Sequence, residues 1–265
     1  HLEHGIAVPD TVSENGQIME HLPIFGGMHV LRDNAKIADL IASHKGVIGI
    51  GKLVHSYPHS WRSKAPVIYR NTAQWFVSME SNGLRDTALS ALAKTTFYPL
   101  AGQKRLTSMI DQRPDWCLSR QRAWGVPLTI FVNKETGEPL RDSSVHGRIV
   151  DAMKAEGADC WFASAASRFL GPDYDPDEYE KVTDILDVWF DSGSTHAFVL
   201  EDREDLTSPA DLYLEGSDQH RGWFHSSLLQ SCATRKRAPY KAILTHGFVL
   251  DEQGRKMSKS LGNVV

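Results

Sequence analysis

The chain has few cysteines, no long apolar run and no excess of positive charge. Its three cysteines, Cys117, Cys160 and Cys232, are odd in number and far apart, which argues against a disulfide framework and against CxxC metal sites. No stretch approaches the roughly 18 apolar residues of a transmembrane helix, and no signal peptide is visible. A net charge of −4 excludes a global basic field, so a contact with nucleic acid has to be local. These absences predict a cytoplasmic protein with no membrane segment.

Length and composition indicate a folded protein. The chain has 265 residues, of which 41% are apolar and 23% are charged, values that are ordinary for globular proteins and exclude a disordered chain. The chain begins with His1-Leu2-Glu3 rather than with methionine, which favours a piece of a longer protein.

Apolar periodicity predicts an α/β fold. Helices are expected at 34–41, 84–95, 103–112, 145–156, 163–170 and 217–235, with Asn34 as the N-cap of the first. Strands are expected at 47–54, 66–76, 126–132, 183–188, 211–214 and 241–245. The strand–helix–strand alternation at the end of the chain is typical of a parallel sheet with crossover helices.

Three motifs favour a structural interpretation. Residues 46–52 fit GxxxxGK, but Leu53 stands where a phosphate loop has Ser or Thr, and the predicted helix precedes the loop. His55 and His59 are four residues apart but lack a complete set of zinc ligands. The basic run 235–237 ends a predicted helix, where cations interact favourably with the helix dipole.

Two segments indicate a nucleotide site. A strand that ends in Glu215-Gly216 precedes a helix that begins with Ser217-Asp218, and ligands of open α/β sheets bind at such strand ends. Gly216 allows close approach of a ligand, and Asp218 can accept hydrogen bonds from ribose hydroxyls or, alternatively, cap the helix. A cationic loop near the C-terminus can close on a polyphosphate. That loop consists of Lys256, Met257, Ser258, Lys259 and Ser260.

The loop resembles the KMSKS motif of the class I aminoacyl-tRNA synthetases, and further segments narrow the resemblance to the isoleucyl-tRNA synthetases. These segments are His55–Arg62 (HSYPHSWR), Gln74–Phe76 (QWF), Arg113–Gly125 (RPDWCLSRQRAWG), Asp187–His196 (DVWFDSGSTH) and Gly216–Phe224 (GSDQHRGWF). The valyl and leucyl enzymes differ from this sequence in the segments around Trp189 and Trp223, so these two segments decide for the isoleucyl enzymes. The resemblance extends from about residue 4 to residue 265.

The resemblance implies four regions. Residues 1–54 would be the C-terminal remnant of an inserted, β-rich editing domain, and residues 55–99 would return into a Rossmann-like catalytic domain. Residues 100–180 would carry connective insertions and the SRQRxWG segment. Residues 181–265 would form the second half of the Rossmann-like domain, ending in the KMSKS loop.

The resemblance also implies a reaction, in which L-isoleucine and ATP give isoleucyl-adenylate, and the isoleucyl group passes to tRNA(Ile). Lys256 and Lys259 would be catalytic. The ATP and adenylate site would comprise Glu215, Gly216, Asp218, Lys256, Met257, Ser258, Lys259 and Ser260. The isoleucine pocket would comprise Trp189, Gln219 and Trp223. Mg²⁺ would accompany ATP, no zinc site is expected within this chain, and a monomeric parent protein is expected.

Departures from the family pattern limit what this chain can do alone. No His-x-Gly-His motif of the first catalytic half occurs, and the threonine-rich and acidic stretches of the editing site are absent. The chain is therefore expected to be a central piece of a synthetase and inactive by itself. Two alternatives are a non-catalytic RNA- or protein-binding module that keeps the fold and another α/β nucleotidyltransferase. The intact KMSKS loop disfavours the binding module, and the 219–224 string beside Trp189 disfavours the nucleotidyltransferase.

Overall fold

A computed structural model describes residues 3–60, 63–122, 124–259 and 261–264. The chain divides into two compact units, residues 1–73 and residues 74–265. Within these described ranges, none of the helices combines the length and the apolar character that crossing a bilayer requires.

The first unit contains little regular structure. Its described residues form one helix, α1 (Asn34–Ser43), and isolated bridges such as Val12–Ile18 and Gln17–His29. The N-cap of α1 is Asp33, one residue before the predicted Asn34. The predicted strand 47–54 is wrong: these residues pair with no strand, and Ile48 is fully exposed. Apolar alternation alone does not make a strand where no neighbouring backbone accepts its hydrogen bonds.

The second unit contains the remaining elements. Its strands are β1 (Phe76–Val77), β2 (Thr96–Tyr98), β3 (Trp116–Cys117), β4 (Ser119–Arg120), β5 (Phe131–Asn133), β6 (Tyr179–Lys181), β7 (Ile185–Leu186), β8 (Tyr213–Gly216) and β9 (Ala242–His246). Its α-helices are α2 (Leu84–Ala93), α3 (Ala101–Asp111), α4 (Ser143–Glu156), α5 (Cys160–Ala163), α6 (Ala166–Leu170), α7 (Val188–Gly193) and α8 (Trp223–Arg235). The predicted strand 66–76 is thus reduced to a bridge at Pro66 and to β1.

A three-stranded parallel sheet carries the candidate site. Its order is β2-β9-β8, with Phe97 opposite Ile243 and Leu214 opposite Leu244. Strand β8 passes through α8 into β9, so the predicted strand–helix–strand unit and the predicted α/β class are confirmed. Helices α2 and α8 pack together on a core centred on buried apolar side chains. They include Leu92, Leu106, Ile110, Phe224, Leu228 and Ile243.

The predicted helix 217–235 is divided into two parts. A 3₁₀ turn covers Ser217–His220, and α8 begins only at Trp223. Gly222 separates them with φ −112° and ψ −116°, and a Cβ atom there would lie 2.8 Å from the ring of Trp189. The break therefore depends on a glycine that lets an indole from another element approach the backbone closely.

A second core lies between residues 131 and 170, within the range predicted as connective insertions. Trp161 is fully buried there, between Phe131 and Phe169, with ring centroids 5.1 and 5.4 Å away. The carboxylate of Asp142 begins α4 by accepting hydrogen bonds from the backbone N–H groups of Ser144 and Val145, an N-cap arrangement. The predicted helix 163–170 is two short helices, α5 and α6.

Candidate functional site

A pocket of about 210 Å³ opens at the C-terminal ends of β8 and β9. Its lining includes six residues that the sequence nominated: Glu215, Gly216, Asp218, Gln219, Lys256 and Met257. His246, the last residue of β9, and Phe248, two residues beyond it, also line the pocket. Strand order explains this convergence, because the parallel strands β8 and β9 end at the same edge of the sheet.

The turn after β8 presents an exposed carboxylate, that of Asp218, whose Oδ2 accepts a hydrogen bond from Gln219 Nε2 at 3.3 Å. Asp218 is exposed and caps neither the 3₁₀ turn nor α8, so the capping alternative is wrong. A Cβ atom at Gly216 would lie 2.6 Å from Oδ1 of Asp218, so a larger residue there would push this carboxylate from its present position over the strand end. Glu215 is exposed beside it. The pocket floor therefore offers hydrogen-bond acceptors suited to hydroxyl groups.

The cationic loop folds back onto the end of β9. Lys256 forms a bridge with Leu250, and the N–H of Met257 donates to the carbonyl of Val249 at 2.9 Å. Nζ of Lys256 lies 3.5 Å from the ring centroid of Phe248, a cation–π contact at the pocket wall. Lys256 is thus held on the same pocket as Asp218.

Asp251 holds this loop together. Its carboxylate accepts hydrogen bonds from the Arg255 backbone at 2.8 Å, from Arg255 Nε at 2.9 Å and from Asn263 Nδ2 at 2.8 Å. Asn263 and the other donors keep the pKa of Asp251 below its usual value, because they stabilise the charged carboxylate. The sequence interpretation missed Asp251, although Asp251-Glu-Gln-Gly254 carries the Asp and Gly positions of a β-turn.

Ser258 and Lys259 do not line the pocket. The N–H of Ser258 donates to Oδ1 of Asn263 at 2.9 Å, which links this serine to Asp251 through one side chain. Lys259 is exposed and does not line the pocket. Ser260 lies outside the described residues.

The three nominated pocket residues separate into two environments. Trp189 is 42% exposed, and its ring lies against Gly222 close to Oε1 of Gln219. Trp223 instead stacks on Tyr213, with ring centroids 4.0 Å apart, and Nε1 of its indole donates to the Ser192 carbonyl at 3.1 Å. Trp189 is therefore partly exposed, whereas Trp223 is a packing residue, and neither of them lines the pocket at the ends of β8 and β9.

Asp187 positions the segment that carries Trp189. It is the N-cap of α7, with Oδ1 accepting from the Trp189 N–H at 3.3 Å. Its Oδ2 accepts from Trp116 Nε1 at 3.1 Å and pairs with Arg120 at 3.1 Å. The predicted strand 183–188 shortens to β7 because Asp187 begins a helix. Aspartate is a preferred N-cap residue, so the sequence itself contained this helix-start signal.

The histidine pair and the basic run, for which the sequence favoured a structural interpretation, have local partners. His55 and His59 bond through Nδ1 to the carbonyls of Ser56 and Tyr57, at 3.0 and 2.7 Å. Arg235 ends α8, where a positive charge interacts favourably with the helix dipole, as predicted. It also forms an ion pair with Glu201 at 2.7 Å. In the part of the chain that is described, no group of three or more His, Cys, Asp or Glu side chains is placed to hold a metal ion.

Comparison with known proteins decides the family. A model described as tRNA synthetases class I (I, L, M and V) matches residues 12–265. The chain belongs to this family. Within the family it is 58% identical over 264 residues to the isoleucine–tRNA ligase of Pelagibacter ubique (strain HTCC1062), a match that covers 100% of this chain and 29% of that protein. It is 56% identical over 275 residues to the isoleucine–tRNA ligase of Gluconobacter oxydans (strain 621H), covering 99% and 28%.

These matches confirm the resemblance to isoleucyl-tRNA synthetases that the motifs predicted. The chain spans less than a third of the length of the curated relatives it matches. Among solved structures, it is similar to Mycobacterium tuberculosis methionyl-tRNA synthetase bound by methionyl-adenylate. That likeness has 20% identity and a TM-score of 0.45, over 81% of this chain and 33% of the other.

Proposed function

We propose that the chain is part of an isoleucine–tRNA ligase, which activates L-isoleucine with ATP and transfers the isoleucyl group to tRNA(Ile). The observation that carries the proposal is the single pocket shared by the Glu215–Gln219 turn and Lys256. A ribose-binding carboxylate and a phosphate-binding cation on one sheet edge suit a nucleotide. The proposal includes a cytoplasmic location and a monomeric parent protein.

In this reaction the isoleucine carboxylate attacks the α-phosphorus of ATP. A carboxylate–phosphorus bond forms, the bond to the β-phosphate oxygen breaks, and pyrophosphate leaves with the electron pair. No group of the protein needs to be covalently modified, so the residues act through position and charge. Glu215, Gly216 and Asp218 would bind the ribose or the aminoacyl end, while Lys256 and Lys259 would neutralise charge on the departing pyrophosphate.

Lys259 needs a change in the loop to take part. It lies outside the pocket, whereas Lys256 is already at the wall. Gly254 and Gly262 stand on either side of the loop, both with positive φ, which suits a segment that closes over phosphates. We therefore assign Lys256 to the first contact with ATP and Lys259 to the closed state. Met257, Ser258 and Ser260 would shape the closed loop.

The side-chain pocket would discriminate by shape. Trp189 presents an indole face, Gln219 lies beside it, and Trp223 supports that wall from its stack on Tyr213. An apolar wall of this kind rejects valine only weakly, because one missing methylene changes binding by about 1–3 kcal/mol, a magnitude whose own worked example is isoleucyl-tRNA synthetase. An editing activity elsewhere in the parent protein is consistent with this limit.

Mg²⁺ would enter bound to ATP. The described residues offer the carboxylates of Glu215 and Asp218 at the pocket but no dedicated cage of three or more ligands. That donor set fits a cation that is held mainly by substrate phosphates and keeps several of its waters. The cation would add charge neutralisation for the polyphosphate.

We also propose the division of the chain implied by the motifs: an editing-domain remnant at 1–54, a return into the catalytic domain at 55–99, connective insertions at 100–180 and the second catalytic half at 181–265. The isolated chain lacks the His-x-Gly-His motif. We therefore expect no isoleucine-dependent exchange of pyrophosphate into ATP by the chain alone, and exchange above a no-protein control would contradict this.

The function is tested in the full-length parent. Lys256→Ala is expected to lower single-turnover adenylate formation at saturating ATP by at least about tenfold, with little change in isoleucine binding, because the cation acts mainly in the transition state. Lys259→Ala should do the same. Lys154→Ala, on the exposed face of α4, is the matched control. Rates within about twofold of wild type for both loop variants would remove the lysines from the mechanism.

A further inference from the structure

A second pocket, of about 580 Å³, lies between α3, the loop that follows it and the start of α8. Its lining includes three arginines, Arg105, Arg113 and Arg221, and also His225. We call this the arginine pocket. No aspartate or glutamate is among its lining residues, so three positive charges face one space without an acidic neighbour on its wall. None of these residues lines the pocket at the ends of β8 and β9.

The guanidinium groups of the arginine pocket have neither hydrogen-bond nor ion-pair partners among the described residues, although that of Arg113 lies over the ring of Trp116, 5.4 Å from its centroid. Among the described residues, no side-chain hydrogen bond or ion pair to Arg105 or Arg221 is formed, and Nε of the half-buried Arg113 has no hydrogen-bond partner. Other arginines are fully engaged: Arg85 donates to backbone carbonyls at 2.6–2.8 Å, and Arg148 to two carbonyls at 2.6 Å. Buried polar groups are normally satisfied, so the unpaired Nε of Arg113 is an exception. Nε is buried, so a ligand in the pocket would meet the terminal guanidinium nitrogens of Arg113 rather than Nε.

His225 adds a second unsatisfied group to the same wall. Its side chain is 97% buried, and neither ring nitrogen has a hydrogen-bond partner in the described part of the chain. Burial, with Arg113 and Arg221 nearby, lowers the pKa of His225 to about 3 against the opposing effect of the His220 backbone beside the ring, so the ring is neutral near pH 7 and carries one N–H. A buried unpaired donor destabilises the fold. Both ring nitrogens are closed off from the pocket, so a ligand that accepts from one of them removes this penalty only after the neighbouring side chains move aside.

We propose that the arginine pocket binds a phosphate-class oxyanion, with Arg105, Arg113 and Arg221 as charged donors and His225 as a neutral donor from the pocket wall. Guanidinium groups match phosphate oxygens as bidentate donors, and such charge-assisted bonds are shorter and stronger than neutral ones. Ser108 and Gln112 on the same wall can add neutral hydrogen bonds. The oxyanion is either free phosphate or pyrophosphate, or an ester phosphate of an RNA strand.

The proposal does not rest on the proposed function, because the two pockets share no lining residue. Amide resonances of the 265-residue chain, followed during titration with sodium pyrophosphate at constant ionic strength, report the two pockets separately. We expect saturable shifts around Arg105, Arg113 and Arg221. These shifts should persist in Lys256→Ala, a variant that removes the cation of the other pocket.

Charge-removing variants test the donors. Arg113→Gln and Arg221→Gln are each expected to weaken pyrophosphate binding roughly tenfold, the change expected for one lost charge-assisted hydrogen bond. Arg141→Gln removes one charge from an exposed arginine before α4 and should leave the affinity unchanged. The absence of saturable shifts at the arginine pocket, or an equal loss of affinity in Arg141→Gln, would overturn the proposal.

The histidine has a distinct signature. His225→Leu is expected to raise the urea midpoint, because it removes an unpaired buried donor, and at the same time to weaken pyrophosphate binding. A stabilised variant that binds pyrophosphate as tightly as the wild type would overturn the part given to His225. This readout also separates a ligand role from a packing role, since a packing residue would lower stability when replaced.

A competition experiment between pyrophosphate and RNA identifies the source of the oxyanion. A single-stranded RNA oligonucleotide that displaces pyrophosphate from the arginine pocket identifies an ester phosphate. An oligonucleotide that leaves the pyrophosphate shifts unchanged identifies a free oxyanion. Both results support an oxyanion site, and a chain that binds neither pyrophosphate nor RNA at these residues contradicts it.

Discussion

Trp223 lies flat against Tyr213, with the two ring planes 4° apart and the centroids 4.0 Å apart. The stack joins the first residue of α8 to the first residue of β8, so it ties the helix to the strand from which the nucleotide pocket opens. Nε1 of Trp223 also donates to Oγ1 of Thr195 at 3.1 Å. An aromatic pair of this geometry stabilises the fold beyond the area that it buries.

Replacement of the two tryptophans should have unequal effects on stability. Trp223→Ala is expected to lower the free energy of unfolding by about 3 kcal/mol, because it removes the stack and leaves a cavity. Trp189→Ala should change it by less than about 1 kcal/mol, because that indole is 42% exposed and lacks an aromatic stack of this kind. Urea denaturation of both variants measures the difference. Equal losses would mean that Trp189 is a packing residue as well.

Removal of Asp251 should loosen the cationic loop without unfolding the chain. Asp251→Ala removes the acceptor of the Arg255 N–H and of Asn263, and Asn263 in turn holds Ser258. Hydrogen exchange of the Arg255 and Ser258 amides is therefore expected to accelerate by roughly tenfold, the effect of losing about 1.4 kcal/mol of local protection.

Glu252→Ala is the matched control for this loop, because Glu252 is the exposed acidic neighbour of Asp251. Its amide exchange should equal that of the wild type. Unchanged exchange in Asp251→Ala would show that the backbone bridge between Leu250 and Lys256 suffices to hold the loop.

His225 should make stability depend on pH. In the folded chain its pKa is lowered to about 3, whereas an unfolded histidine has a pKa of about 6.5. Between these values the unfolded chain binds more protons, so stability falls as pH falls from about 6.5. The stability advantage of His225→Leu over the wild type should therefore grow between pH 7 and pH 4, by on the order of 3 kcal/mol.

Urea midpoints at several pH values test this, with His146→Gln as the control at an exposed histidine of α4. The control should follow the wild type at every pH. An advantage of His225→Leu that stays constant between pH 7 and pH 4 would mean that His225 takes up a proton as readily in the folded chain as in the unfolded chain.

Asp142 should stabilise α4 only while it is charged. Hydrogen bonds from Ser144, Val145 and Tyr174 lower its pKa well below the usual 3.8. Its contribution is therefore fully present above about pH 4 and is lost as pH falls towards the pKa of the folded state. Asp142→Ala should lower Tm by about 2–4 °C at pH 7, the size of a lost N-cap, and by less at pH 3.

Asp142→Asn is the matched variant, because asparagine also caps helices but does not titrate. It should keep most of the Tm at pH 7. A Tm loss in Asp142→Ala that is the same at both pH values would show that the cap acts without its charge.

The structural features that could be predicted are those that depend on residues close together in the sequence. The β8–α8–β9 unit and its glycine were predictable because apolar periodicity and Gly216 act locally. The wrong strand at 47–54 and the unbroken helix at 217–235 failed for a non-local reason. A strand at 47–54 would have needed a partner strand. An unbroken helix at 217–235 was predicted without knowing that Trp189, from α7, occupies the space beside Gly222.

The candidate site shows the same limit. Residues on the two strand ends meet in one pocket because parallel strands share an edge, and that follows from topology. The arginine pocket was not predictable, since Arg105 and Arg221 are far apart in sequence and meet only through the packing of α3 against the 3₁₀ turn before α8. Asp251 and Asp187 could have been found from their turn and cap positions.

The contact between Lys256 and Phe248 makes closure of the loop an exchange of partners. The ammonium group already rests on an aromatic face, an attraction of about 0.5–1 kcal/mol at an exposed site. A hydrogen bond between charged groups is stronger, about 1.5–3 kcal/mol, so an anionic ligand can take the ammonium group from the ring. Until such an anion arrives, the aromatic contact keeps Lys256 at the wall of the pocket.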